Sequence, residues 1–137
     1  MWRLIRTVAS HTSHTAAIAV AVAAGGALGA ALRYQLWRWW PDETGSFPLT
    51  TFLINVVGCF IFGICVARIP ERDRGVATLL RPFLTFGALG GFTTFSFYAV
   101  QGVTLTSPRL GALYLVVTPV VAVGAALIGR RVGRHAQ

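Results

Sequence analysis

The stretch Phe86-Gly87-Ala88-Leu89-Gly90-Gly91-Phe92-Thr93-Thr94-Phe95-Ser96-Phe97-Tyr98 decides how this chain is read. It lies inside a charge-free run from Pro82 to Pro108. At about 1.5 Å per helical residue, such a run is long enough to cross the roughly 30 Å hydrocarbon core of a bilayer. Two adjacent glycines, Gly90 and Gly91, followed by Thr93 and Thr94, give that helix little propensity to hold together. Irregular backbone at membrane depth is tolerated only where it is buried in protein or lines a cavity. The run therefore predicts a spanning helix that is broken mid-membrane.

Three more charge-free runs flank it, at 16–32, 44–67 and 110–129. The first is short, but Trp37, Trp39 and Trp40 form an interfacial belt after it, which carries the helix on past Arg33. In lipid the spans must be helices, since every backbone polar group needs an internal partner. The expectation is an all-α membrane protein with four transmembrane helices, the third broken. Residues 1–15 read as a cytoplasmic N-terminal tail, 16–130 as the membrane domain and 131–137 as a C-terminal tail. No length remains for a second domain, and a cleaved signal peptide fits poorly because no polar break follows a short apolar core.

Composition supports this reading. Hydrophobic residues make up 55% and charged residues 12%, against about a quarter charged in a soluble domain. That excludes a soluble enzyme and a disordered chain. The net charge of +8 comes from twelve arginines, with no lysine, against four acids. These arginines sit between apolar runs rather than on a polar face, so no nucleic-acid partner is expected.

The groups that usually carry chemistry are sparse. Cys59 and Cys65 lie six apart on one helix, on different faces, and read as small buried apolar residues. His11 and His14 fall in the tail and read as solvated. Asp42, Glu43, Glu71 and Asp73 are all in connectors. A proton-coupled exchanger usually needs an acid at membrane depth, and no nucleophile–base pair is visible. An enzyme is not expected.

Polar residues inside the spans are few enough to name. An amide in hydrocarbon, Asn55, needs a partner or water; it reads either as an ion-pathway donor or as an interhelical hydrogen bond. Thr51 shares its face, one turn earlier. Phe92, Phe95 and Tyr98 recur every third residue, as a packing ridge or as electropositive ring edges for a small anion. Tyr114 and Thr118 share a face of the fourth span, before Pro119. Gly25/Gly29 and Gly26/Ala30 have the small-xxx-small spacing of close helix packing.

Taken together, Gly25-Gly26-x-x-Gly29-Ala30-x-x-Arg33-Tyr34, the segment Asn55-x-x-Gly58-x-Phe60-x-x-Gly63 and Gly90-Gly91-Phe92-Thr93-Thr94-Phe95-Ser96 resemble the CrcB/Fluc fluoride-channel family. The resemblance covers roughly residues 24–130. It implies an antiparallel dimer of four-helix subunits that exports fluoride passively from the cytoplasm. It also implies a structural sodium ion held by backbone carbonyls, here those of Gly90 and Thr93. By motif position the fluoride pathway involves Asn55, Thr94, Phe95, Ser96 and Tyr98, with Arg33 as an electrostatic lure at a vestibule. Tyr114 and Thr118 match a fourth-helix polar track. The chain departs from the family pattern at Thr50 (usually Gly), Phe97 (usually Thr or Ser), Tyr98 (usually Phe) and Gln101 (commonly acidic).

The resulting expectation is a fluoride-selective channel in the plasma membrane, dimeric, with fluoride, lipid and a second subunit as partners. The alternatives are a non-conducting partner subunit of a heterodimeric channel and, less favoured, a small multidrug-type exchanger. Charge counting sets the orientation. Arg3, Arg6, Arg68, Arg72, Arg74, Arg81, Arg130, Arg131 and Arg134 fall on the side of the termini, against Arg33, Arg38 and Arg109 on the other. Basic residues in short loops stay cytoplasmic, so both termini are expected inside. Such a bias favours a dimer with an inverted homologous subunit over a dual-topology homodimer.

Overall fold

Each apolar run becomes a helix in the computed structural model, which describes the backbone of residues 2–69 and 77–135, with side chains from 14 and from 78 onward. The first helix, α1, spans Trp2–Trp39 and α2 spans Leu49–Arg68. The third span is composite: α3 (Ala77–Pro82), a π-helical stretch (Phe83–Leu89), α4 (Gly90–Phe92), a break, then α5 (Ser96–Thr104). The last helix, α6, runs from Pro108 to His135. Among the described residues, four segments are long and apolar enough to cross a membrane: His14–Trp39, Leu49–Arg68, Thr78–Thr104 and Pro108–His135.

Helix α1 runs continuously through residue 15, and residues 131–135 continue α6. Two details differ from the sequence reading. The aromatic ridge is split by the break: Phe92 is buried while Phe95 is 80% exposed and Tyr98 is buried again. The wide π turns before Gly90 were not foreseen. Glu71, Arg72, Asp73 and Arg74, together with the side chains of Arg3, Arg6 and His11, lie outside the described residues; His14 is exposed.

The helices associate as two close pairs, α2 with α6 and α1 with the third span. Both pairs meet backbone to backbone. A Cβ on Gly63 would overlap Ala126 O, and one on Gly129 would overlap Phe60 O. In the other pair a Cβ on Gly25 would overlap Phe83 O, one on Gly29 would overlap Ala88 O, and one on Gly91 would overlap Gly26 O. Without a hydrophobic force between helices in lipid, this close contact is what holds spans together. It also fixes the broken third span against a straight neighbour.

The connector after α1 is ordered by its own hydrogen bonds. Gly45 adopts φ 82°, and Ser46 N–H donates to Glu43 O at 3.2 Å, closing a turn. That turn brings Asp42 back over the N-terminus of α2.

Candidate functional site at the broken third span

The break begins where Thr93 takes an extended conformation, φ −75° and ψ 158°. Thr93 closes the preceding helix: its N–H and its hydroxyl both donate to Leu89 O, at 3.0 and 2.9 Å. The next residue has lost its helical partners, and Asn55 replaces them. Thr94 N–H donates to Asn55 Oδ1 at 2.8 Å, and Asn55 Nδ2 donates to Thr94 O at 3.1 Å. One primary amide thus pairs both backbone groups of Thr94, which an ionised carboxylate, having no donor, does not do. The Thr94 hydroxyl oxygen then accepts Phe97 N–H at 3.2 Å, capping α5 in the manner of an N-cap threonine.

Two cavities flank this clamp, and Thr94 borders both. One, of about 290 Å³, is lined by Arg33, Thr51, Ile54 and Thr94, with Trp37 and Phe97 meeting edge to face at 5.9 Å. Arg33 is half-buried there and its Nε donates to Gly91 O at 3.2 Å, a carbonyl at the end of the interrupted helix. The other, of about 380 Å³, is lined by Asn55, Thr93, Thr94, Phe95, Tyr98 and Thr118, with Cys59 on its wall. Thr118 is 3% exposed and its Oγ1 has no hydrogen-bond partner among the described residues. A buried hydroxyl without a protein partner is uncommon.

Most of the sequence candidates therefore converge on the break: Asn55, Thr94, Phe95, Tyr98 and Thr118 around one cavity, Arg33 and Thr94 around the other. Tyr98 gives its hydroxyl to Leu115 O at 2.5 Å. Tyr114 is fully buried behind it, with ring centroids 5.2 Å apart, and lines neither cavity. Ser96 is exposed and lines neither. Gly90 is exposed beside the break, and no cluster of His, Cys, Asp or Glu among the described residues is fit to hold a metal.

Sequence reasoning missed Asp42. Its Oδ1 accepts Thr50 N–H at 2.7 Å, while its Oδ2 accepts the Thr51 hydroxyl and Gln101 Nε2, both at 2.9 Å. Gln101 Oε1 in turn accepts the Tyr114 hydroxyl at 3.3 Å. A single connector carboxylate caps α2 and ties it to α5, and through Gln101 to α6. Gln101 also makes sense as an amide: a second carboxylate there would face the first. An acid ahead of an apolar helix is a cap signal, but the seven residues between Asp42 and Thr50 concealed it. Asp42→Ala should lower stability by about 1–2 kcal/mol, read as a lower melting midpoint in detergent. An unchanged midpoint would refute the cap.

Four apolar helices, one interrupted at membrane depth where hydroxyls and an amide gather, define a multi-pass membrane protein built for transport rather than catalysis. The profile of the family described as "CrcB-like protein, Camphor Resistance (CrcB)" matches residues 20–130, and the chain belongs to that family. It is 47% identical over 113 residues to the fluoride-specific ion channel FluC 1 of Streptomyces coelicolor, covering 80% of this chain and 73% of that protein. It is similarly 42% identical over 123 residues to the fluoride-specific ion channel FluC 2 of Nocardia farcinica, 88% and 87% of the two chains. The Agrobacterium fabrum fluoride-specific ion channel FluC is 36% identical over 118 residues, 83% and 94%.

Proposed function

We propose that this chain is a subunit of a fluoride-specific ion channel that lets fluoride leave the cytoplasm down its gradient. The observation that carries the reading is the unpartnered, buried Thr118 hydroxyl at a cavity shared with Asn55, Thr94 and the edge-bearing ring of Phe95. A small, strongly hydrated anion enters a membrane only where fixed donors replace its water. The second Nδ2 proton of Asn55, the Thr94 hydroxyl and the Thr118 hydroxyl are such donors, and the Phe95 ring edge is weakly electropositive. The relatives' shared designation selects fluoride among small anions.

Sodium and a second subunit complete the reading. Asn55 takes the Thr94 N–H that would have bonded Gly90 O, and Phe97 N–H turns to the Thr94 hydroxyl instead of Thr93 O. The Gly90 and Thr93 carbonyls are thereby released, as suits a hard cation with oxygen ligands. Bound there, sodium would lock the break in place. Two carbonyls under-fill such an ion, and Phe95 is exposed in the single subunit. Both features support an antiparallel second subunit that supplies the remaining oxygens and covers the ring. The arginine bias puts both termini in the cytoplasm and favours an inverted homologue as that subunit.

Fluoride efflux from proteoliposomes, measured against chloride, tests the function. Wild-type protein, alone or with its inverted homologue, should pass fluoride and exclude chloride. Thr118→Val should slow efflux by roughly tenfold, the cost of one lost hydrogen bond to a charged species. Equal chloride flux, or no fluoride flux in either assembly, would overturn the reading.

A further inference from the structure

Pro119 sits inside α6. Proline has no N–H, so the carbonyl four residues earlier, that of Leu115, has lost its helical donor. In a membrane a carbonyl freed in this way has to be paired by a neighbouring part of the protein. The donor here is the Tyr98 hydroxyl, 2.5 Å from Leu115 O and carried on α5. One turn further along α5, Gly102 lies so close to the Leu115 side chain that a Cβ would overlap it. The two contacts press α5 onto α6 at the point where α6 is defective.

We infer that Tyr98 is a positioning residue that restores the hydrogen bond Pro119 removes, and so fastens the second half of the broken span to α6. Its ring, 7% exposed, stands between Phe95 at 5.6 Å and Tyr114 at 5.2 Å, so fixing the hydroxyl fixes the Phe95 side of the cavity. The hydroxyl has one proton. Given to Leu115 O, that proton is not available to an anion, and the free donor on this wall is the neighbouring Thr118. Tyr98 and Pro119 therefore act as a pair: the tyrosine hydroxyl is needed because residue 119 is proline. The inference deepens the channel reading above and rests on it only where efflux is measured.

A double-mutant cycle separates this role from direct anion binding. Tyr98→Phe keeps the ring and deletes the donor; Pro119→Ala supplies an N–H that pairs Leu115 O from within α6. The single Tyr98→Phe variant should lower the melting midpoint and slow fluoride efflux by roughly tenfold, as an orphaned buried carbonyl does. Adding Pro119→Ala to Tyr98→Phe should restore both. If Tyr98→Phe alone fails to assemble, assembly of the double variant supports the pairing and failure of both overturns it. A wild-type midpoint for Tyr98→Phe also overturns it. So does a double variant as impaired as the single one, the result expected if the hydroxyl served fluoride directly. Absence of fluoride flux in the wild type would instead count against the channel reading, leaving the melting cycle to decide the pairing.

Discussion

Asn55→Ala should abolish measurable fluoride efflux and also lower the melting midpoint. The variant leaves Thr94 N–H and Thr94 O without partners at membrane depth, where Asn55 now pairs them at 2.8 and 3.1 Å. Each unpaired buried group costs about 1–3 kcal/mol, so the two together amount to roughly thirtyfold or more in an equilibrium constant. Refolding the break into continuous helix is the cheapest escape, since Thr94 N–H would return to Gly90 O. That would withdraw the carbonyl proposed for sodium and swing Phe95 and the Thr94 hydroxyl away from the cavity. Asn55→Asp should fail as well, because a carboxylate accepts the Thr94 N–H but repels Thr94 O. Loss of efflux with an unchanged midpoint would make Asn55 a pathway donor without the clamp. Wild-type behaviour in both assays would remove it from the site.

The reading of Asn55 illustrates what a sequence holds and what it withholds. An amide in an apolar run demands a partner, and that much follows from desolvation alone. Which partner is a question of distance in three dimensions, and the answer lies 39 residues away on another span. The break was legible because its cause is local: two glycines and two threonines in a row. The four spans were legible for the same reason, since length and absence of charge are properties of a window. Asp42 was not legible, because its ties to Thr50 and Gln101 depend on a turn at Gly45 that folds the connector back. Nor was the fate of the Tyr98 hydroxyl, which is set by a proline on a different helix. Spacing placed Phe92, Phe95 and Tyr98 on one ridge, but a three-residue period holds only along an unbroken helix. The break that the same residues announce is what separates them.

The two glycines of α1 that look equivalent in sequence should behave in opposite ways. Gly25, Gly26 and Gly29 all belong to small-residue patterns, yet a Cβ on Gly26 meets nothing within 4 Å while one on Gly29 would overlap Ala88 O and crowd Phe92 N at 2.8 Å. Alanine favours helix over glycine by about 1 kcal/mol, so Gly26→Ala should be neutral or slightly stabilising. Gly29→Ala must push α1 away from rigid backbone rather than from a side chain that turns aside. Overpacking costs of about 1–3 kcal/mol are then a lower bound. The damage should reach the site, because Arg33 lies one turn beyond Gly29 and its Nε holds Gly91 O at 3.2 Å. Moving α1 outward breaks that bond and the backbone contact of Gly91 with Gly26 together. Gly29→Ala should therefore show a sharply lower melting midpoint and little fluoride efflux, with Gly26→Ala close to wild type in both. Equal midpoints for the two variants would mean that α1 does not sit against the broken span through Gly29.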